Sequence, residues 1–307
     1  DVKLVGSVDK TTVKVDGYIL SESTTADDTL VIEKALVAIG DKNYATLNDA
    51  FAAAKKGDTV KLLDDITLTE QINVFDSSVI SDITLDGDNH TINCALGYSK
   101  SAFRFGNHND PKSYATGVKV RNLNMTGTAC FAFFLHGGTT SEFTNVNISG
   151  KYFIAINLYG THGATFTNCN ITNEATAADG SYLVPNNAVW SNVAAANPVK
   201  LINSKISKIS INAYTTANVL APKIFVDKDS EVAVATLDDG AISGDKLLCV
   251  SAESEGKFTV REILDDTENE GKYIESDVIE AVAVIERGGT KTVLCENLTG
   301  AINLSED

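Results

Sequence analysis

The chain has 307 residues, with 41 acidic against 25 basic side chains and a formal net charge of −16. Such an acidic surface repels nucleic-acid phosphates and anionic lipid headgroups, and the basic residues do not cluster, so binding to nucleic acid or a membrane surface is set aside. Apolar residues make up 43% of the chain, enough for a substantial core. No stretch reaches the roughly 18 apolar residues that a membrane-spanning helix needs.

Residues 1–42 alternate in hydrophobicity as short strands do, for example in Thr12-Val13-Lys14-Val15 and Leu30-Val31-Ile32, with a polar loop over 21–28. The one clear helix is predicted over 47–56. Thr46 is a good N-cap with Asp49 three residues on, a variant of the capping box, and Ala50 to Ala54 favour helix before Gly57 stops it. An amphipathic helix directly before a repetitive region is well placed to cover the open end of the repeat core.

From residue 120 a hydrophobic-x-Asn block returns at a fixed interval. It reads Val120-Arg121-Asn122-Leu123-Asn124, Phe143-Thr144-Asn145-Val146-Asn147, Phe166-Thr167-Asn168-Cys169-Asn170 and Leu201-Ile202-Asn203-Ser204-Lys205, in steps of 23, 23 and 35 residues. Counting outward by the same steps puts an apolar side chain at Leu62, Leu85 and Ile224. A second column shares the period, with Phe133-Phe134-Leu135-His136-Gly137 sitting 23 residues before Ile156-Asn157-Leu158-Tyr159-Gly160. Alternating strand-like blocks without intervening helices at this period predict an all-β fold, a parallel β-helix over 43–236 with about 23 residues per coil. Leucine-rich repeats have a similar period, but their Leu-x-x-Leu-x-Leu spacing is missing. At a bend between strands a buried amide can bond the same amide one coil away, so Asn122, Asn145, Asn168 and Asn203 are expected to form a structural ladder rather than a ligand site.

The five cysteines show no C-x-x-C pair and no His at metal spacing, so no metal site is predicted. Cys169 shares a column with Leu123, Val146 and Ser204 and reads as a small stacking residue. Cys249 and Cys295 could pair, although an odd total argues against a full disulfide framework. Beyond 236 the pattern turns hairpin-like, as in the segment from Ala283 to Leu294 with its Gly288-Gly289 turn. This β-rich extension, 237–307, either closes the far end of the stack or forms a separate module.

Tyr44-Ala45-Thr46-Leu47-Asn48-Asp49-Ala50-Phe51, the following Ala54-Lys55-Lys56-Gly57-Asp58-Thr59-Val60-Lys61-Leu62, and Ile83-Thr84-Leu85-Asp86-Gly87 together resemble the first coils of pectin-lyase-like right-handed β-helix proteins. The resemblance covers 44 to about 236, and the right-handedness rests on it. It implies polysaccharide lyases, glycoside hydrolases, phage tailspikes or non-catalytic bacterial surface proteins, among which fold alone does not choose. Members similar to polygalacturonases use clustered Asp with Gly-His-Gly and Arg-x-Lys segments. The lookalikes here are Asp64-Asp65 and Gly160-Thr161-His162-Gly163, several coils apart, and Arg-x-Lys is absent. Lyases of the family need a basic residue and carboxylates for calcium, so calcium enters only with an enzymatic reading. Asp86 and Asp88 are spaced to face the same way as a hydrolytic carboxylate pair, though a turn beside Gly87 explains them too.

Both 35-residue steps carry 12 extra residues, which mark insertions where a site would sit. The first, around 96–117, contains Tyr98, Phe103, Arg104, His108 and Tyr114, and the second, around 173–198, contains Tyr182 and the single tryptophan, Trp190. Aromatic rings beside Asn and Asp suit a sugar platform. His136 and Tyr159 share a column and are expected to stack beside His162. The candidate ligand-binding set is therefore Trp190, Tyr182, His136, Tyr159, His162 and Tyr98, with no catalytic residue assigned. The chain opens at Asp1 without a signal peptide, as a processed secreted protein would. The expected function is that of a monomeric, extracellular or cell-surface bacterial module that binds polysaccharide or host glycan without a cofactor. The alternatives are a lyase or hydrolase with a divergent site in the groove and a tailspike-like assembly.

Overall fold

The computed structural model describes residues 2–5, 17–22, 29–75, 81–107, 110, 113–114, 116–137, 139–160, 162–180, 187–191, 197–211, 224–237, 257–263, 273–276, 283–287 and 290–295. The protein is mostly β, with long strands paired in parallel. At the N-terminus, Val2–Val5, Thr29–Lys34 and Tyr18–Glu22 form a three-stranded antiparallel sheet with Thr29–Lys34 in the middle. The stretch Thr12-Val13-Lys14-Val15 lies outside the described residues.

The centre of the fold is the pair Lys119–His136 and Thr140–Tyr159, parallel along their length with every partner 23 residues apart, from Lys119 opposite Glu142 to His136 opposite Tyr159. From this pair, parallel pairing extends in three columns. One runs through Thr59–Leu62, Thr84–Asp86, Lys119 to Arg121, Phe143, Phe166, Leu201 and Val226. A second joins Ile66–Leu68, Thr91–Gly97, Met125, Ile148, Ile171, Ile206 and Val232. The third joins Ile72–Val74, Phe103–Phe105, Phe133, Ile156, Val189, Ile209 and Ala235.

Two ends of the predicted column sit two residues away from their expected partners. Leu85 pairs with Val60 rather than Leu62, and Leu201 with Val226 rather than Ile224. A two-residue shift keeps a strand's faces, so Leu62 is inward as Val60 is, and the sequence alone does not separate them. Parallel pairing also continues past residue 236, because Glu231–Leu237 pairs in parallel with Lys257–Ile263. Tyr273–Ser276 then pairs antiparallel with that strand, and Ala283–Arg287 with Thr290–Cys295.

The inward side chains stack as like on like. Phe103 lies over Phe133 at 5.1 Å between centroids, Phe143 over Phe166 at 5.1 Å, and all four are fully buried. Pairing in register puts each apolar side chain against its own counterpart, and the buried apolar residues form one continuous cluster. The helix is Leu47–Ala53, three residues shorter than predicted, because Ala54 is already extended. Its N-cap forms as expected, with the Thr46 hydroxyl accepting the Asp49 N–H at 3.0 Å. The helix buries Leu47, Ala50 and Phe51, and the Phe51 ring meets Phe103 and Phe105 edge-on at 6.1 and 6.0 Å.

Asn122, Asn145, Asn168 and Asn203 all adopt left-handed backbone, with φ of 50°, 53°, 54° and 46°. Their amides form a chain in which Asn203 Nδ2 donates to Asn168 Oδ1 (2.8 Å), Asn168 to Asn145 (3.2 Å) and Asn145 to Asn122 (3.0 Å). Asn122 Nδ2 in turn donates to Asp86 Oδ1 at 3.2 Å. The expectation of buried amides is corrected: Asn145, Asn168 and Asn203 are exposed and Asn122 half-buried. The left-handed bend turns these side chains outward, along the outer corner of the stack. A shorter parallel run has Asn147 donating to Asn124, and Asn124 to the Asn89 carbonyl.

Left-handed backbone costs a residue with a Cβ about 1–2 kcal/mol unless, as with Asn, local bonding offsets it, and each ladder bond adds about 1 kcal/mol. Asn145→Ala loses both contributions, whereas Asn145→Gly loses only the bonds. In urea unfolding, Asn145→Ala is expected to lose about 3–4 kcal/mol and Asn145→Gly about 1–2 kcal/mol less. Equal losses for the two variants would contradict the left-handed role.

Candidate functional site

The pleat of the third column turns Phe133, Ile156 and Val189 into the core, and therefore turns the residues after them outward. Those residues stand side by side: Arg104 opposite Phe134, Phe134 opposite Asn157, and Asn157 opposite Trp190. Two residues further along the strands, His136 stands opposite Tyr159. The result is a row of rings across three strands, continued by Tyr114 from outside them. Tyr114 lies 5.0 Å from His136, His136 lies 4.9 Å from Tyr159, and Tyr159 stacks on Trp190 at 6.0 Å with 18° between planes. Phe134 sits between them, 6.2 Å from His136 and 6.1 Å from Tyr159.

Three of the residues proposed from sequence thus come together: His136, Tyr159 and Trp190. The two insertions meet there, since Tyr114 belongs to the first and Trp190 to the second. His136 is more enclosed than a surface row suggests, at 3% exposed, while Tyr114, Phe134, Tyr159 and Trp190 are half-buried. Tyr182 and His108 lie outside the described residues. Tyr98, on the turn after Thr91–Gly97, lies near enough to the Lys151 ammonium to act on it electrostatically. Lys151 itself is held by Asp179 at 2.6 Å.

His162 does not join the row. It is fully buried, with Nδ1 2.9 Å from the Gly137 carbonyl and Nε2 2.8 Å from the Ser141 hydroxyl. A carbonyl only accepts, so Nδ1 carries the proton and Nε2 accepts from Ser141. That is the geometry of a serine and its base, but Ser141 is also fully buried, so no substrate reaches either side chain. The sequence lookalike Gly160-Thr161-His162-Gly163 therefore marks a packed internal pair.

The carboxylates weighed as catalytic are also engaged. Asp86 is 8% exposed and accepts from Arg121 Nε at 2.8 Å, from Asn122 and from the Asp88 N–H at 3.1 Å. Burial pushes its pKa up, but these three donors outweigh burial and hold it below the ordinary carboxylate value. Asp88 sits in a left-handed turn and pairs with Lys61 at 3.0 Å. Asp64 pairs with Lys34, and Asp65 accepts the Thr91 N–H at 2.8 Å. The expected solvated turn holds for Asp88 and is corrected for Asp86, which ends the strand Thr84–Asp86 and is buried.

Cys94, Cys130 and Cys169 are free thiols, and burial pushes the pKa of Cys94 up to about 12 and that of Cys169 up to about 11. The side chains of Cys249 and Cys295 lie outside the described residues. Among the described residues no group of three or more His, Cys, Asp or Glu is placed to hold a metal ion, and no helix is long and apolar enough to cross a membrane.

Asn157 and Phe134 did not stand out in the sequence. The available signal was the 23-residue offset between them, which sets an amide in a column of rings. Comparison with protein-family models, with curated proteins and with solved structures returns no match for this chain.

His162 gives a pH test of the packed interior. Burial is the main cause of its pKa falling from the ordinary 6.5 to about 4, with nearby His136 adding to the fall and the Gly137 carbonyl opposing it. As pH drops, the unfolded chain takes up this proton first, so the stability contribution is complete above about 6.5 and is lost between about 6.5 and about 4. The loss expected from this residue is up to about 3 kcal/mol, at 1.36 kcal/mol per pKa unit. Urea unfolding of wild type and His162→Gln across that window should show a steeper acid decline in wild type. Parallel curves would contradict a buried neutral His162.

Proposed function

We propose that the chain is a right-handed parallel β-helix protein of the pectin-lyase-like kind, exported to the surface or surroundings of a bacterial cell, that binds glycans without cleaving them. The three pairing columns and the 23-residue offset support a coiled stack of about 23 residues per turn. The contacts of Phe51 with Phe103 and Phe105 support the helix Leu47–Ala53 as the cover of its first coil. The antiparallel pairing of Val37–Ile39 with Thr59–Leu62 would occupy that strand edge and favours a monomer.

The observation that carries the glycan reading is the outward row Tyr114, His136, Tyr159 and Trp190, flanked by Phe134 and Asn157. Ring faces pack against the C–H face of a sugar while neighbouring polar groups bond its hydroxyls. A non-catalytic role is supported by the engagement of Asp64, Asp65, Asp86 and Asp88 in structural contacts and by the enclosure of Ser141 and His162.

Trp190 is the only tryptophan, so its fluorescence reports on this row alone. Titration with plant, host and microbial polysaccharides, with and without calcium, is expected to shift that fluorescence for at least one glycan. Tyr159→Ala should weaken the same binding roughly tenfold, about 1.4 kcal/mol. Mass spectrometry should find no new soluble oligosaccharides. Products with unsaturated ends would replace this reading with a lyase, and products that had gained water with a hydrolase.

A further inference from the structure

Asn157 combines an outward position with near-complete enclosure. It lies between Phe134 and Trp190 in the pairing register, and the pleat points it away from the core, yet it is 6% exposed. Its Oδ1 is buried and accepts no hydrogen bond. Buried carbonyl oxygens nearly always find a donor, and one left without is a standing cost to the free protein. An apolar side chain of the same size would avoid that cost, so the amide points to a donor that arrives from outside.

We infer that Asn157 is the polar floor of a subsite for a neutral, hydroxyl-rich sugar, a refinement that rests on the glycan-binding reading above. An Oδ1 acceptor calls for an O–H donor, which any pyranose hydroxyl supplies, whereas a carboxylate or sulfate set against it would meet acceptor with acceptor. Phe134, Tyr159 and Trp190 supply the apolar surface for the sugar's C–H face. Arg104, two strands from Asn157 in the register, lies over the rings of Phe75 and Phe134, 5.3 Å from each centroid. The net charge of −16 further disfavours a polyanion. Trp190 stands opposite Asn157 across the strands, so its fluorescence reads a sugar arriving at this position.

The test uses the full chain with a soluble β-glucan, a mannan and a galactan as neutral probes, and polygalacturonate and alginate as acidic ones. Two variants are compared with wild type. Asn157→Leu removes the unpaired oxygen at similar volume, so it is expected to raise the thermal midpoint while weakening the neutral probe roughly tenfold. Asn157→Asp keeps an acceptor and should hold neutral-probe affinity within about threefold, the difference between two acceptors of one hydroxyl being smaller than the loss of the bond. If wild type binds a neutral probe and Asn157→Leu binds it equally well, the subsite is overturned while the glycan reading stands. Preferential binding of the acidic probes also overturns the subsite alone. If wild type binds none of the five, both fall.

Discussion

The arrangement of this molecule depends on one repeated contact, the side-chain amide bond between asparagines at successive left-handed bends. An amide both donates and accepts, so it can hand a hydrogen bond from one repeat to the next without limit. A carboxylate can only accept, and it therefore has to stand at an end. Asp86 stands there, and its charge decides the direction of the chain: Asn122 must turn Nδ2 toward it, which leaves Asn122 Oδ1 for Asn145, and so on to Asn203. At the far end Asp227 accepts the Asn203 backbone N–H at 3.1 Å and the Ser230 hydroxyl at 2.5 Å, so a carboxylate anchors each limit of the run. Burial alone would raise the Asp86 pKa, and the net lowering shows that its donors are well placed.

The ladder matters because parallel strands with apolar inward faces tolerate slippage by two residues, which keeps the same face inward. The left-handed bend removes that freedom. A slip of two one way would force Val120, Phe143, Phe166 and Leu201 into φ near 50°, and a slip the other way would bring Asn124, Asn147 and Asn170 there but Lys205 in the fourth repeat. Register set at the Asn corner is then carried along each strand, so the offset that places Asn145 on Asn122 also places Tyr159 on His136. The outward ring row is thus a consequence of the same constraint that orders the core. Only Tyr114 and Trp190 come from the inserted segments, and they extend a row that the regular repeats already begin.

Much of this was legible because each repeat restates it. Four copies of hydrophobic-x-Asn showed the period, and the period predicted parallel pairing, the His136–Tyr159 neighbours and the ladder. What escaped has physical reasons. Val60 and Leu62 are both inward, so counting could not choose which faces Leu85. The outward turn of the ladder follows from backbone dihedrals that no residue type announces, since Asn also serves buried bends. His162 precedes a glycine in a segment that reads as a loop, but the Ser141 hydroxyl and the Gly137 carbonyl form a polar niche that satisfies both ring nitrogens inside the core. Asn157 was hidden in a column read for its rings, and its meaning appears only when its oxygen is seen to be enclosed.

The polarity of the ladder, anchored on Asp86, is tested most directly by a double-mutant cycle between Asp86→Ala and Asn122→Gly in urea. Glycine keeps the left-handed bend open, so the cycle isolates the bond between the two side chains. A carboxylate accepting an amide donor in a partly buried corner should give a coupling energy of at least about 1 kcal/mol. Losses that add to within about 0.3 kcal/mol would contradict Asp86 as the anchor of the ladder.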